Sequence, residues 1–419
     1  MKKFKIIFLI AMMFSINYNY VYAIDNKVKT SQTDKVTSAS DDNNFNITSK
    51  NVVLYNLNDN NVLYEKNASD SVSIASLTKI MTTIVAIENI KDLNKEIVIT
   101  SEVFQGIEDY SKAGFNIGDK VTIKDLLYGI MLPSGADAVN ATILATGKSK
   151  AEFIKLMNDK VADLGLKNTK FDNAIGMDSK DNYSSAMDVA KILEYALKNE
   201  TFKQIYTTRK YTVPTTKLTM HSTLVTYAKS ADTSNIKGAK SGFTDGAGLC
   251  LASIAEIKDV NYLLIVLGAN KLVKSNAVND SLEIYNYYAK NYEYKNIITK
   301  NQVLKTLPVK WGVKDKYKVI SDKDVKAYLK NTVKIEDLSY DYKGVKEITY
   351  KNKKGDKLGT MTVSYDGKQL ATYNIYLKEN LKFYHPLIYT VMGISIVLMI
   401  LSIIKIKQNT SSKLKKKYK

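Results

Sequence analysis

The chain has 419 residues, 45% of them hydrophobic and 25% charged, a balance that specifies a globular protein with room for two or three domains and excludes a disordered one. The net charge of +19 is carried almost wholly by lysine, with Arg209 the single arginine. Such an excess describes a solvated, lysine-rich surface or attraction to an anionic wall or membrane; without any RNA- or DNA-binding motif it does not indicate nucleic acid. Cys250 stands alone and the only histidines are His221 and His385, which excludes an intrachain disulfide, leaves no basis for a zinc site and gives no reason to expect a cofactor.

Both ends read as addresses. Met1–Ala23 has Lys2, Lys3 and Lys5, then an apolar run, then Val21-Tyr22-Ala23 as a small-residue cleavage site, the pattern of a secretory signal peptide. Residues 24–44, rich in Ser, Thr, Asp, Asn and Lys, read as a flexible spacer. At the other end, Pro386–Ile404 is a run of 19 residues without a formal charge, about 28 Å as a helix and long enough for a bilayer core. Seven lysines from Lys405 to Lys419 follow without an acidic residue, so the expected topology is a single-pass protein in the cell membrane with residues 405–419 cytoplasmic and everything before Tyr384 outside.

Between these ends the elements alternate in kind. Val52–Tyr55 and Val62–Tyr64 read as a strand–turn–strand around Asn58–Asn61. Helical periodicity covers Ser76–Ile90, then Ile123–Ala145 interrupted at Pro133-Ser134-Gly135, then Glu152–Leu164 stopped by Gly165, then Ser185–Lys198. Ile236–Ser241, Leu249–Ile257 and Tyr262–Gly268 read as an antiparallel meander, followed by a helix over Asn279–Ala289. After about Lys300 the pattern is strand-like, with Lys353–Asp356 and Asp366-Gly367 as hairpin turns. The expected fold class is α+β: helices on an antiparallel sheet over 45–300, a small all-β domain over 301–380, and a transmembrane helix over 386–404.

Ser76-Leu77-Thr78-Lys79 opens the first long helix, and a spacing of three puts hydroxyl and amine on one face. An un-ionised lysine can take the serine proton in place of a histidine, provided burial or a neighbouring cation lowers its pKa from ~10.4. The bare spacing recurs at Ser234–Lys237 and Ser412–Lys415, so it says little alone. What adds weight is Ser134-Gly135 in the helix break and Lys240-Ser241-Gly242 on a strand, where cation, hydroxyl and missing side chain can line a groove open to a peptide.

Serine–lysine, then a serine loop, then lysine–hydroxyl–glycine is the order of the penicillin-recognising acyl-transfer enzymes. With Leu63–Ala68, Ala75–Thr82, Leu164–Thr169, Asn182–Ala186 and Gly238–Gly248, the chain resembles the D-alanyl-D-alanine carboxypeptidases among the low-molecular-mass penicillin-binding proteins, from about 50 to 290. The resemblance implies a β-lactamase/transpeptidase-like domain with Ser76 as acylated nucleophile, Lys79 as its base and Ser134 as proton relay. It implies that Lys240 and Ser241, beside Gly242, hold the substrate's carboxylate, and that the N–H groups of Ser76 and Phe243 form the oxyanion hole. The implied partners are peptidoglycan stem peptides ending in D-Ala-D-Ala, with β-lactams as covalent inhibitors. The chain departs from the family at Ala136, where an asparagine is usual, and at Ser241, where threonine is commoner; Asn140 and Arg209 match no family position. A catalytically impaired wall-binding protein of the same fold is the alternative, and a β-lactamase lacks an identifiable water-activating glutamate. The helix break beside Ala136 suggests room for a larger side chain, so Ala136→Asn would be expected to speed acylation. His221 reads as a surface residue, Cys250 as a small buried hydrophobe, and the tyrosines of Tyr285–Tyr294 as packing.

Overall fold

The computed structural model describes residues 45–384 and 386–417. The expected signal peptide and spacer, and His385, lie outside them.

The run Val260–Ala269 explains the centre of the fold. It is apolar at nearly every position, which is how a strand covered on both faces reads. Asn51–Asn56 (β1) and Asn61–Lys66 (β2) form a hairpin, and two three-residue pairs follow, Glu96–Val98 (β3) with Lys120–Thr122 (β4) and Lys210–Thr212 (β5) with Thr219–His221 (β6). Ile236–Thr244 (β7), Gly248–Ile257 (β8) and Val260–Ala269 (β9) make the expected meander and join the first hairpin in one antiparallel sheet of order β2-β1-β9-β8-β7. On β9 the alternation is strict: Leu263, Ile265 and Leu267 enter one core, Tyr262, Leu264 and Val266 the other.

The first core holds most of the helices. Thr78–Asn89 (α1) is buried from Thr78 to Ala86 and is the central one. Ile123–Met131 (α2) and Ala136–Ala145 (α3) are separated where the sequence breaks, at Pro133–Gly135. Lys150–Asp163 (α4) starts two residues ahead of the expected helix because Ser149 and Glu152 form a capping box. Ala186–Leu197 (α5) is capped by Ser185 and Glu200–Thr207 (α6) completes the set, whereas Thr223–Ala228 (α7) buries Leu224 and Ala228 in the second core; the periodicity misses both α6 and α7. Asn276–Asn291 (α8) covers the other face, where Tyr285, Tyr288, Tyr262 and Tyr328 are buried and the hydroxyls of Tyr262 and Tyr328 lie 2.6 Å apart. The tyrosines are packing, as read.

Beyond α8, Tyr292–Ile298 (β10), Val303–Pro308 (β11), Lys316–Ile320 (β12) and Val325–Lys330 (β13) precede Ser339–Gly344 (β14), Lys357–Tyr365 (β15) and Lys368–Tyr376 (β16) around a third apolar core. Strand β10 pairs with β13, which ties residues ahead of the expected boundary at 301 into this β region. Asp366 and Gly367, at φ +48° and +72°, make the β15–β16 turn as expected. Lys353–Asp356 also forms a turn, Asp356 N–H donating to Lys353 O at 3.1 Å, but it ends a longer connection between the paired β14 and β15 and does not close a tight hairpin; Gly355 N–H there donates to Leu377 O at 2.7 Å. Finally Pro386–Lys417 (α9) is one continuous helix, since nothing after Ile404 breaks it, and its apolar stretch, Tyr389–Asn409, is long enough to cross a membrane.

Candidate active site

Ser76 does not cap a helix. It lies in a short 3₁₀ turn, Ala75–Leu77, that feeds α1, and neither turn nor helix has a side-chain cap. The turn is held in an uncommon shape: Ala75 has φ +48°, a region that non-glycine residues rarely adopt. Two glycines permit it. A Cβ on Gly176 would run into Ala75 O, and one on Gly242 would stand 3.0 Å from Ser76 N. The absent side chain of Gly242 therefore serves the nucleophile turn, whereas sequence reasoning assigned it to substrate approach. Asn173 Oδ1 accepts from the N–H groups of Gly176 and Met177, and Asn182 Nδ2 reaches Thr78 Oγ1, so the loop over 173–182 braces the start of α1.

One turn beyond Ser76, at the start of α1, Lys79 is buried, and its Nζ donates to Ser76 Oγ at 3.0 Å and to Ile175 O at 2.6 Å. Burial pulls the amine down to about 7, partly offset by the negative field of Asp137. Ser76 itself is half-buried, so a hydroxyl next to a readily deprotonated amine faces an approachable space.

Ser134 sits in the break between α2 and α3 at φ +67° and is buried. Lys240, fully buried on β7, donates to Ser134 Oγ at 2.9 Å and to Ser241 O at 2.7 Å. Burial, and then the charge of Lys79, hold the Lys240 amine well below the ordinary lysine range. The site thus pairs two hydroxyls with two amines and couples the amines through space. Strand β7 is the edge of the main sheet and packs on the Ala75–Leu77 turn, which brings Lys240, Ser241 and Gly242 to the nucleophile. Phe243 follows with its side chain 45% exposed at the rim.

Three residues at the site were not found in the sequence. Asp137, fully buried, accepts from Ala113 N–H at 2.7 Å and Ala138 N–H at 2.9 Å and so ties the 113–114 segment to the Ser134 turn. Thr223, at the start of α7, accepts a 2.6 Å hydrogen bond from the Ser241 hydroxyl. Asp178 accepts from Thr244 Oγ1 and Gly246 N–H, fixing the far end of β7 to the bracing loop. None of these carries a local signal, because each acts across the chain.

Other candidates fall elsewhere. Arg209 donates to Thr233 Oγ1 and to the carbonyls of Thr233 and Ile236, holding the start of β7. Asn140 Nδ2 bonds Val103 O, away from the lysines. His221 is exposed opposite Lys210, and Cys250 is buried, its thiol pushed up to about 12. Ala136 is fully buried, with its N–H on Ser111 O at 2.7 Å, so the room expected beside the helix break is absent.

Fold and polar cluster together are those of the penicillin-recognising serine peptidases. Residues 35–271 match the family profile described as D-alanyl-D-alanine carboxypeptidase, and residues 292–382 match that of the penicillin-binding protein 5 C-terminal domain. The chain belongs to the D-alanyl-D-alanine carboxypeptidase family. It is 30% identical to D-alanyl-D-alanine carboxypeptidase DacF of Bacillus subtilis, over 80% of this chain and 86% of that protein. Identity with DacC of Escherichia coli is 28%, over 77% and 81%. Among solved structures, penicillin-binding protein 5 from Haemophilus influenzae shares the fold with a TM-score of 0.60 at 24% identity, covering 81% of this chain and 99% of that one. The Streptomyces K15 DD-transpeptidase aligns with a TM-score of 0.54 at 30% identity, over 58% and 98%.

Proposed function

We propose that this enzyme removes the terminal D-alanine from peptidoglycan stem peptides through an acyl-enzyme on Ser76. The observation that carries the reading is the Lys79–Ser76 hydrogen bond, made by an amine that burial brings to about 7. Ser76 Oγ attacks the carbonyl carbon between the two D-alanines while Lys79 Nζ takes its proton. The developing oxyanion lies against the N–H groups of Ser76 and Phe243. The C–N bond then breaks, and D-alanine leaves with a proton passed from Lys79 by way of Ser134. Water, deprotonated by the same amine, hydrolyses the ester. Lys240 and Ser241 hold the terminal carboxylate; its negative charge offsets the burial that lowers the pKa of the Lys240 amine. A β-lactam acylates the same hydroxyl, but its leaving nitrogen stays tethered, so the adduct persists.

The catalytic domain runs from 45 to about 291, the C-terminal β domain begins with β10 at Tyr292, and 386–404 is the core of a membrane anchor within α9. The lysines that follow favour a cytoplasmic tail at 405–419 with the enzyme outside. Release of D-alanine from a pentapeptide ending in D-Ala-D-Ala tests the reading. Release by the full chain and none by Ser76→Ala is expected. Peptide binding without release would favour an impaired scaffold, the reading that Ala136 raises.

A further inference from the structure

The turn between β11 and β12 lies beside the start of α9. Trp311 O accepts from Tyr384 N–H at 2.7 Å, Val313 N–H donates to Lys382 O at 2.9 Å, and Gly312 forms an antiparallel bridge with Phe383. The turn is therefore pinned by backbone hydrogen bonds to the segment that leads into the helix. Trp311 has φ +62°, outside the usual range for a bulky residue, yet its ring joins no core: it is 47% exposed, as are Val313 at 52% and Tyr384 at 47%. The ring instead lies 5.8 Å from that of Tyr389, which in turn lies 6.0 Å from Tyr384. Tyr389 is the first residue of the apolar span. Trp311 is thus level with the point where the helix turns apolar, and rings of this kind concentrate at the boundary between lipid and water.

Charge fits the same partner. Lys310, Lys314, Lys316 and Lys382 are exposed around the turn. Against them stand Asp315 and Glu347, the latter 3.6 Å from Lys310. Each uncompensated lysine near an anionic leaflet is worth ~1 kcal/mol, or roughly fivefold in association.

We propose that the Lys310–Lys316 turn is a second membrane-contacting element, seating Trp311 and Val313 in the interfacial layer of the anionic leaflet that α9 enters. The inference rests on the reading of α9 as an anchor. Held at two points, the β domain cannot swivel about the helix, and the distance of the Ser76 site from the bilayer is fixed.

Trp311 is the chain's only tryptophan, so its fluorescence reports this turn alone. The full chain is reconstituted into phosphatidylcholine vesicles with and without phosphatidylglycerol; flotation measures incorporation, and iodide and shallow brominated lipid measure the ring's surroundings. Expected is flotation with a ring shielded from iodide and quenched by the brominated lipid, more strongly with phosphatidylglycerol. Trp311→Ala should float equally and lose the signal. Flotation with a ring open to iodide and untouched by brominated lipid overturns the inference while leaving the anchor standing. Failure to float overturns the anchor and the inference with it.

Discussion

Replacing Gly242 with alanine puts a methyl carbon 3.0 Å from Ser76 N and 3.1 Å from both Ala75 Cβ and Ile74 O. Ordinary contact begins near 3.4 Å, so the neighbours must give by roughly 0.4 Å. No rotamer relieves this, because two of the atoms are backbone and the third is a Cβ. Strand β7 cannot retreat either, since Gly242 is paired with Cys250 of β8. The Ala75–Leu77 turn must yield, and with it the Ser76 N–H and hydroxyl. Loss of one oxyanion donor costs ~10²–10³ in rate, and a partial displacement is expected to cost at least about tenfold, with ~1–3 kcal/mol of stability. The assay is the second-order rate of acylation by a fluorescent penicillin, beside circular dichroism and thermal melting. A folded Gly242→Ala protein that acylates at the wild-type rate would refute the idea that packing of β7 on the turn sets the nucleophile's position.

Other expectations follow from the same geometry. Lys79 accepts a proton only when neutral, and its pKa is depressed to about 7, so acylation should rise through neutral pH to a plateau, with about a tenth of the plateau rate one unit below the midpoint. A profile flat from pH 5.5 to 8.5, or rising only near the ordinary lysine value, would show that Lys79 is not the base. Thr223→Val removes the partner of the Ser241 hydroxyl at nearly constant volume; KM for the carboxylate-bearing peptide should rise about fivefold, the scale of one hydrogen bond, and Thr223→Ser should restore it. Unchanged KM in the valine variant would remove Thr223 from the site. Ala136→Asn, read from sequence as a gain, is now expected to lower stability by ~1–3 kcal/mol without faster acylation, because Ala136 is fully buried. Faster acylation at unchanged melting temperature would show that the space beside the lysines accepts the amide.

What could be read in advance follows from range. The Ser76–Lys79 spacing, the break at Pro133–Gly135 and the apolar runs of β7 to β9 are local, and the structure has all three. So is the Asp366-Gly367 turn, whose two positive φ angles demand such residues. Lys353–Asp356 carries the same kind of signal and forms its turn, but at the end of a long β14–β15 connection, because a turn-forming sequence does not say how far the preceding strand lies from it. The packing of Gly242 on Ser76 was not legible, because its neighbour is far away in sequence. Asp137, Thr223 and Asp178 stayed invisible for the same reason, since each acts on a partner brought in by the fold. Helices α6 and α7, with eight and six residues, are too short for periodicity to declare.

The acyl-enzyme on Ser76 is tested most directly by trapping it. The intact chain is incubated with a β-lactam, digested, and the peptides are sequenced by mass spectrometry, with Ser76→Ala treated in parallel. Expected is one adduct, its mass that of the whole β-lactam, on the peptide containing Ser76, absent from the folded Ser76→Ala protein. An adduct on Ser134, Ser241 or any other residue, or equal labelling of the alanine variant, would contradict it.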